Sequence, residues 1–176
     1  MDTMQYTHLY RSPLGTITLA ADSEGLTGLW FEGQKYFAAT LDAQHEETML
    51  PIFEQTRRWL DNYFGGNDPG PTPPLHLQGS PFRLAVWEIL RQIPFGKTIT
   101  YGEIAREIAR RQGSKTVPAQ AVGGAVGHNP VSIIVPCHRV VGSNGSLTGY
   151  AGGIVSAAVD GIRAAGHIMA EYAPIL

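Results

Sequence analysis

The chain has one cysteine, no long apolar run and no cluster of histidines, and each shortage excludes a class of protein. Cys137 is the single cysteine in 176 residues, so an internal disulfide is impossible and no oxidising compartment is indicated. The sequence contains no run of about 18 apolar residues, the length needed to span a bilayer. The N-terminus lacks the basic and apolar regions of a signal peptide. The six histidines lack the spacing of zinc ligands. We therefore expect a cytoplasmic protein with no bound metal and no membrane association.

The composition suits a globular protein with an uneven charge distribution. Hydrophobic side chains make up 43% of the chain, enough to bury a core in one domain or two small ones. Residues 1–70 carry ten acidic and four basic side chains, whereas residues 83–115 carry seven basic and three acidic ones. Such a basic segment suits a polyanion such as nucleic acid. A solvated helix face is the other interpretation, and charge alone does not separate the two.

The chain is expected to divide at residues 65–74 (GGNDPGPTPP), because this density of glycine and proline cannot continue a helix or a central strand. We predict an N-terminal α/β domain over residues 1–75 and a C-terminal domain over residues 76–176.

Two patterns predict the secondary structure of the N-terminal part. Alternating apolar residues at 14–21 and 26–31 flank the turn signal at 22–25 (DSEG), which predicts a β-hairpin. Apolar residues at helical spacing predict a helix over residues 52–64. No catalytic chemistry is apparent in this part of the chain.

The C-terminal part begins with helix signals. Ser80 and Pro81 are typical of an N-cap and a first helical residue, and Thr100 followed by Glu103 forms a capping box. Two short helices joined by a tight turn then make a helix-turn-helix candidate. The three helices are predicted over residues 82–92, 101–111 and 118–127.

The last of these helices has nearly all small side chains (AQAVGGAVG, residues 119–127). Each glycine inside a helix lowers helix stability by about 1 kcal/mol relative to alanine, so the presence of several small residues in this helix needs an explanation. Close approach to a DNA groove is one explanation and tight packing against another helix is the other.

Cys137 follows the apolar run 131–135, which we expect to be extended and rigid. A thiol reacts as the thiolate, and at a reference pKa of roughly 8.5 only about 3% is ionised near pH 7 without help. His138 is adjacent in sequence, but neighbouring side chains on an extended segment diverge, so a bridging water would carry the proton. A buried structural cysteine is the alternative interpretation.

Three motifs together carry a family resemblance. They are GHNP at residues 127–130, IVPCHRVVG at 134–142 and GYAGG at 149–153. In this order they resemble the O6-alkylguanine-DNA alkyltransferases, also called methylated-DNA–protein-cysteine methyltransferases. The resemblance implies an α+β fold, with a small ribonuclease H-like α/β domain followed by a helical domain with a winged-helix-like helix-turn-helix.

The resemblance also implies a reaction and its residues. Double-stranded DNA containing O6-alkylguanine would be the partner, the damaged base would rotate into a pocket, and Cys137 would take the alkyl group irreversibly. His138 would activate Cys137 through water, Tyr101 would donate a proton or a hydrogen bond to the guanine, and Arg139 and Asn129 would brace the site. Tyr101 as a packed aromatic and Asn129 as an ordinary turn former remain simpler interpretations.

The substrate-binding residues implied by the resemblance lie on the second helix of the helix-turn-helix and after the cysteine. Val140 would offer backbone groups to the guanine, and a loop would close the pocket. No cofactor is implied, and a monomer is expected. The implied binding residues are Gln120, Ala121, Gly124, Val140, Tyr150, Gly152 and Gly153.

Two departures from the family pattern leave an alternative open. Gln120 stands where the best-known members carry an arginine that fills the space of the flipped base. No glutamate stands near Ala164 or Ala165, where the family has one that orients the active histidine. The alternative function is therefore a lesion-binding DNA module with weakened or lost transfer activity. A cysteine hydrolase is not favoured, because no separated histidine and oxyanion site are evident.

Overall fold

A four-stranded sheet forms the N-terminal part of the computed structural model, which describes residues 4–13, 15–34, 36–95 and 97–142. The strand order is β3-β2-β1-β4, with β1, β2 and β3 antiparallel and the short β4 parallel to β1. The predicted hairpin is confirmed as β2 and β3, whereas β1 and β4 were not predicted. The strands are β1 (Gln5–Ser12), β2 (Gly15–Ala21), β3 (Leu26–Phe31) and β4 (His45–Glu47).

The hairpin turn is held by Asp22, whose carboxylate accepts the backbone N–H groups of Glu24 and Gly25 at 2.9 and 3.1 Å. His76, from the segment after the predicted division, also binds this turn. Its Nδ1 lies 2.5 Å from a carboxylate oxygen of Asp22 and its Nε2 lies 3.0 Å from one of Glu24. Each ring nitrogen therefore faces a different carboxylate of the turn.

Helix α1 (Pro51–Phe64) confirms the helix predicted over 52–64. Proline at its first position costs nothing, because the first backbone N–H groups of a helix have no partner within it. Tyr63, which we did not predict to face inward, is fully buried. The buried residues of the helix are Phe53, Thr56, Trp59, Leu60 and Tyr63.

Three helices follow, and their predicted caps are confirmed. Ser80 accepts the N–H of Arg83 at 3.2 Å, and Thr100 accepts the N–H of Glu103 at 3.0 Å. Helix α3 ends at Gly113, which adopts the left-handed conformation at φ 68°. The helices are α2 (Pro81–Arg91), α3 (Tyr101–Gln112) and α4 (Ala119–Gly127).

Helices α2, α3 and α4 pack on one another, with α3 and α4 forming the predicted helix-turn-helix. Trp87 of α2 is 1% exposed, and its indole N–H donates to the carbonyl of Ala125 in α4 at 2.8 Å. We did not predict Trp87 to face inward, although it fixes these two helices together. None of the helices in the described part of the chain is long and apolar enough to cross a bilayer.

The prediction of an extended segment before Cys137 is wrong. Val131 makes a single bridge to Leu29 of β3, and the chain then turns, with Ile133 at φ 69°. The N–H of Val135 donates back to the carbonyl of Val131 at 3.0 Å, which closes the turn. The run is apolar because it is buried, and a short buried run does not by itself specify an extended conformation.

A short helical turn and a strand pairing position the end of the described part of the chain. Residues Cys137–Arg139 form one turn of 3₁₀ helix, and β6 (Val140–Val141) then pairs in parallel with β5 (Ile99–Thr100). Because α3 begins directly after β5, this pairing brings the start of α3 next to the segment that carries the cysteine. The predicted α+β fold class is confirmed.

The free edge of β3 is covered by the C-terminal part of the chain. Leu29 donates its N–H to Pro130 at 2.8 Å and accepts the N–H of Ser132 at 3.1 Å, while Leu26 bonds in the same way to Pro74 and His76. These bonds pair backbone groups at the β3 edge of the sheet, which would otherwise be available to a strand of another protein molecule. They also anchor the segment between α4 and Cys137 to the N-terminal sheet.

Candidate active site around Cys137

Cys137 lies at the start of the 3₁₀ turn and is only 4% exposed. Burial raises the pKa of its thiol to about 11, because a thiolate loses the solvation that water would give it. Hydrogen bonds from the Asn129 side chain and from the backbone at Cys137 and His138 act in the opposite direction. At pH 7 the sulfur is therefore a neutral thiol that needs a base before it can react.

Asn129 connects three parts of the turn that leads to Cys137. Its amide N–H donates to the carbonyl of Val135 at 2.7 Å, and its amide oxygen accepts the N–H of Val131 at 3.0 Å. The same side chain hydrogen-bonds the Cys137 thiol. Asn129 is 5% exposed, so water cannot replace these bonds.

Tyr101 is the first residue of α3, and the pairing of β5 with β6 brings it to the cysteine. Burial raises the pKa of its phenol well above the ordinary value, and negative charge on Cys137 raises it further. The hydroxyl therefore stays protonated at neutral pH and can act as a hydrogen-bond donor. The predicted pair of Tyr101 and Cys137 is thus close enough to interact electrostatically.

His138 has a partner that the sequence did not reveal. The hydroxyl of Tyr63, on α1, lies 3.1 Å from Nε2 of His138, and both side chains are buried. Tyr63 lies in the N-terminal part of the chain, where the sequence showed no apparent catalytic chemistry. The only sequence feature at Tyr63 is an aromatic pair, Tyr63 and Phe64, at the end of an amphipathic helix. Such a pair is equally typical of residues that only pack in the core.

Arg139 turns inward beneath the cysteine. Its guanidinium donates to the carbonyl of Ile93 at 2.9 Å and lies 5.7 Å from the centre of the Phe95 ring. Val140 is fully buried and pairs with Ile99. The other predicted loop residues, Tyr150, Gly152 and Gly153, lie outside the described residues, as does the segment around Ala164 and Ala165.

One face of helix α4 points outward and carries mainly small residues. Gln120 and Ala121 are exposed, and Gly124 is half-buried, whereas Val122, Ala125 and Val126 face the core. Among the described residues, a methyl group added at Gly123 or Gly124 would meet no atom within 4 Å outside the neighbouring helix backbone. Tight packing against α2 or α3 therefore does not explain these glycines, and the interpretation as a smooth outer surface fits the described part of the chain.

The basic segment is partly neutralised on α3. Glu107 binds Arg110 at 2.6 Å and Arg111 at 2.9 Å, and these bonds lower the pKa of its carboxyl to about 2. All three side chains are at the surface, so the pairs contribute little to stability. The guanidinium groups of Arg110 and Arg111 remain accessible on the surface of α3, the first helix of the helix-turn-helix.

The raised pKa of Cys137 predicts the pH dependence of its reaction with iodoacetamide. With a pKa of about 11, the thiolate fraction in the free protein is about 10⁻⁴ at pH 7, and the rate is expected to rise about tenfold per pH unit towards pH 11. Labelling followed by mass spectrometry measures this rate. Protein unfolded in guanidinium is the control, and its rate should level off near pH 9. A plateau below pH 9 in the folded protein would contradict the prediction.

A buried cysteine, a hydrogen-bonded histidine and a protonated tyrosine beside a helix-turn-helix define a protein that combines nucleophilic chemistry with a nucleic-acid-binding fold. Two family models match the chain: "6-O-methylguanine DNA methyltransferase, ribonuclease-like domain" over residues 5–75, and the "DNA binding domain" of the same methyltransferase over residues 81–159. Together they cover most of the chain.

Individual relatives agree with the family models. A methylated-DNA–protein-cysteine methyltransferase of Haemophilus influenzae is 40% identical over 155 residues, which are 88% of this chain and 82% of that protein. The Methanosarcina acetivorans protein of the same name is 42% identical over 151 residues, which are 85% and 91% of the two chains. The crystal structure of Mycobacterium tuberculosis OGT in complex with DNA matches with a TM-score of 0.74 and 36% identity, covering 94% of this chain and 92% of that chain.

The chain therefore belongs to the methylated-DNA–protein-cysteine methyltransferase family. The predicted resemblance is confirmed.

Proposed function

We propose that the protein repairs DNA by transferring an alkyl group from the O6 oxygen of guanine to the sulfur of Cys137. The observation that carries the proposal is that the single cysteine is buried in a turn that it shares with a buried histidine, and that it interacts electrostatically with a protonated tyrosine at the start of the helix-turn-helix. The relatives named for this activity and the solved complex with DNA support it.

The chemistry balances without a cofactor or a metal. The sulfur–carbon bond forms as the carbon–O6 bond breaks. The thiol loses one proton and the guanine gains one, so the overall reaction is balanced. His138 accepts the thiol proton through a bridging water, because Cys137 is neutral at pH 7. Tyr101 donates a hydrogen bond to the departing guanine, which its raised pKa permits. The thioether product is stable, so each molecule acts once.

Helix α4 provides the surface that meets DNA. Its outer face is smooth at Gly124 and Ala121, and Gln120 stands exposed at its first turn. Gln120 would occupy the space of the flipped base and hydrogen-bond the base left behind, without the charge of an arginine. Flipping costs a few kcal/mol and costs less for a lesion that pairs badly, which supplies selectivity.

The remaining parts of the proposal concern organisation. Val140 offers its backbone to the guanine, and Tyr150, Gly152 and Gly153 close the pocket. Arg139 braces the site from below through its bond to Ile93. An N-terminal domain over residues 1–75 supports a C-terminal domain over 76–176, and the protein acts as a monomer in the cytoplasm.

Intact-protein mass spectrometry tests the proposed transfer. The protein is incubated with a short duplex containing one O6-methylguanine, and a gain of one methyl group, about 14 Da, is expected in the wild type only. Cys137→Ala is the control that should gain nothing. An unchanged mass in the wild type would contradict transfer even if a gel-shift assay showed that the lesion is bound. Equal gain in the Cys137→Ala variant would contradict the assignment of the nucleophile.

Replacing Gly124 with alanine is expected to stabilise α4 and weaken DNA binding. The added methyl group meets no neighbouring side chain among the described residues, so the gain in helix propensity should raise the free energy of unfolding by up to about 1 kcal/mol. On the face proposed to meet DNA, the same methyl group should lower affinity about tenfold, or ~1.4 kcal/mol. Urea denaturation and fluorescence anisotropy with a labelled duplex measure the two effects.

Gly123→Ala is the matched control for this experiment. Gly123 has the same open surroundings on the same helix but lies about 100° around the helix axis from Gly124. It should give the same stabilisation with a smaller loss of affinity. Equal affinities for the wild type and the Gly124→Ala variant would show that this face does not approach DNA.

A further inference from the structure

Tyr63 reaches the candidate active site from a different part of the chain. It is on α1, 75 residues before His138, and its hydroxyl lies 3.1 Å from Nε2 of that histidine. Both side chains are almost fully buried, at 0% and 2% exposure. We propose that Tyr63 is a positioning residue that fixes the orientation of the His138 ring for proton transfer from Cys137. This inference rests on the proposed function.

The Tyr63 ring is itself held on several sides. It stacks on Trp59 with ring centres 5.7 Å apart and planes 4° apart, and it meets the Phe95 ring edge-on at 6.3 Å. It also meets the His138 ring edge-on at 6.2 Å and 71°. A phenol packed in this way has little rotational freedom, so its hydroxyl occupies a fixed point beside the imidazole.

A fixed hydroxyl at Nε2 constrains what His138 can do. The hydroxyl can donate to a bare Nε2 or accept from a protonated one, and either arrangement holds the plane of the imidazole ring. The ring presents a second nitrogen, Nδ1, whose direction is then set as well. Because His138 directly follows Cys137, the rotation of this ring decides whether a proton can pass between them.

Phe95 links this contact to the neighbouring residue. The same ring that meets Tyr63 edge-on lies under the guanidinium of Arg139, at 5.7 Å. Buried Tyr63, half-buried Phe95 and buried Arg139 therefore form one packed group, and Arg139 belongs to the same turn as Cys137 and His138. A positioning role for Tyr63 predicts an effect on reaction rate that exceeds the effect of losing one buried hydrogen bond elsewhere.

The test compares Tyr63→Phe with Tyr10→Phe. Each change removes one hydroxyl and keeps the ring, and Tyr10 is a buried tyrosine of the same sheet-and-helix unit whose hydroxyl donates to Asp61 at 2.6 Å. Both variants should lose a similar amount of stability. Only Tyr63→Phe should lower the rate constant of methyl transfer at saturating O6-methylguanine duplex, about 10-fold to 100-fold, with the half-saturating DNA concentration unchanged.

Two further measurements separate positioning from general support of the fold. In a His138→Gln background, Tyr63→Phe should have no additional effect on the rate, because its target is gone. In the ¹⁵N spectrum of the free protein, the imidazole nitrogens of His138 should shift in Tyr63→Phe and not in Tyr10→Phe. An equal loss of rate in both backgrounds, or an unshifted His138, would overturn the proposal.

The outcome remains separable from that of the proposed function. If the wild type transfers methyl groups and Tyr63→Phe does so at the same rate, the positioning role is wrong while the function stands. If the wild type transfers none, the proposed function fails, and the ¹⁵N shifts still decide whether Tyr63 holds the His138 ring.

Discussion

Replacing Tyr101 with phenylalanine is expected to slow alkyl transfer by about 10²-fold to 10³-fold, the usual contribution of a hydrogen-bond donor aimed at charge that develops in the transition state. The ring remains, so the packing at the start of α3 should be preserved, and only the hydroxyl is lost. Its pKa is raised by burial and by Cys137, which keeps the hydroxyl protonated throughout the neutral range. Single-turnover transfer from an O6-methylguanine duplex, followed by protein mass, measures the rate constant.

The control for Tyr101→Phe is Tyr10→Phe, which removes a part-buried hydroxyl that bonds Asp61 and not a residue of the candidate site. It should transfer at the wild-type rate. If Tyr101→Phe also transfers at that rate, the guanine leaves without a hydrogen bond from this residue, and Tyr101 is the packed aromatic that its sequence also allowed.

Replacing Asn129 with alanine is expected to destabilise the fold by about 3 kcal/mol. The change leaves the N–H of Val131 without a partner in a buried turn, which costs about 1–3 kcal/mol, and removes one of the two hydrogen bonds to the carbonyl of Val135, which still accepts the N–H of Cys137. It also removes the hydrogen bond that lowers the pKa of Cys137. Transfer by the folded fraction should therefore slow as well.

Urea denaturation measures the change in stability for Asn129→Ala. Asn62→Ala, at an exposed position of α1, is the control and should stay within about 0.5 kcal/mol of the wild type. A loss below about 1 kcal/mol at Asn129 would mean that the N–H of Val131 finds another partner in the variant.

Several contacts couple the N-terminal sheet and helix to the candidate site. Tyr36, in the loop after β3, stacks on His128 at the end of α4 with ring centres 3.9 Å apart. Leu29 of β3 binds the backbone at residues 130–132, and Tyr63 of α1 binds His138. The N-terminal part therefore supports both ends of the segment between α4 and Cys137.

The sequence by itself determined the elements whose causes are local. Ser80 and Thr100 cap their helices because each hydroxyl bonds an N–H three residues ahead. Asp22 closes the β2–β3 turn for a similarly local reason. The family was also evident from the sequence, because its motif around Cys137 is short and contiguous.

The tertiary structure alone decided what joins distant residues. The bond between Tyr63 and His138 spans 75 positions, and that between Trp87 and Ala125 spans 38. Nothing in the local pattern of an amphipathic helix distinguishes a core tyrosine from one that touches a reactive site. The turn before Cys137 was mistaken for an extended segment for the same reason: burial made it apolar, while the bonds from Asn129 gave it its shape.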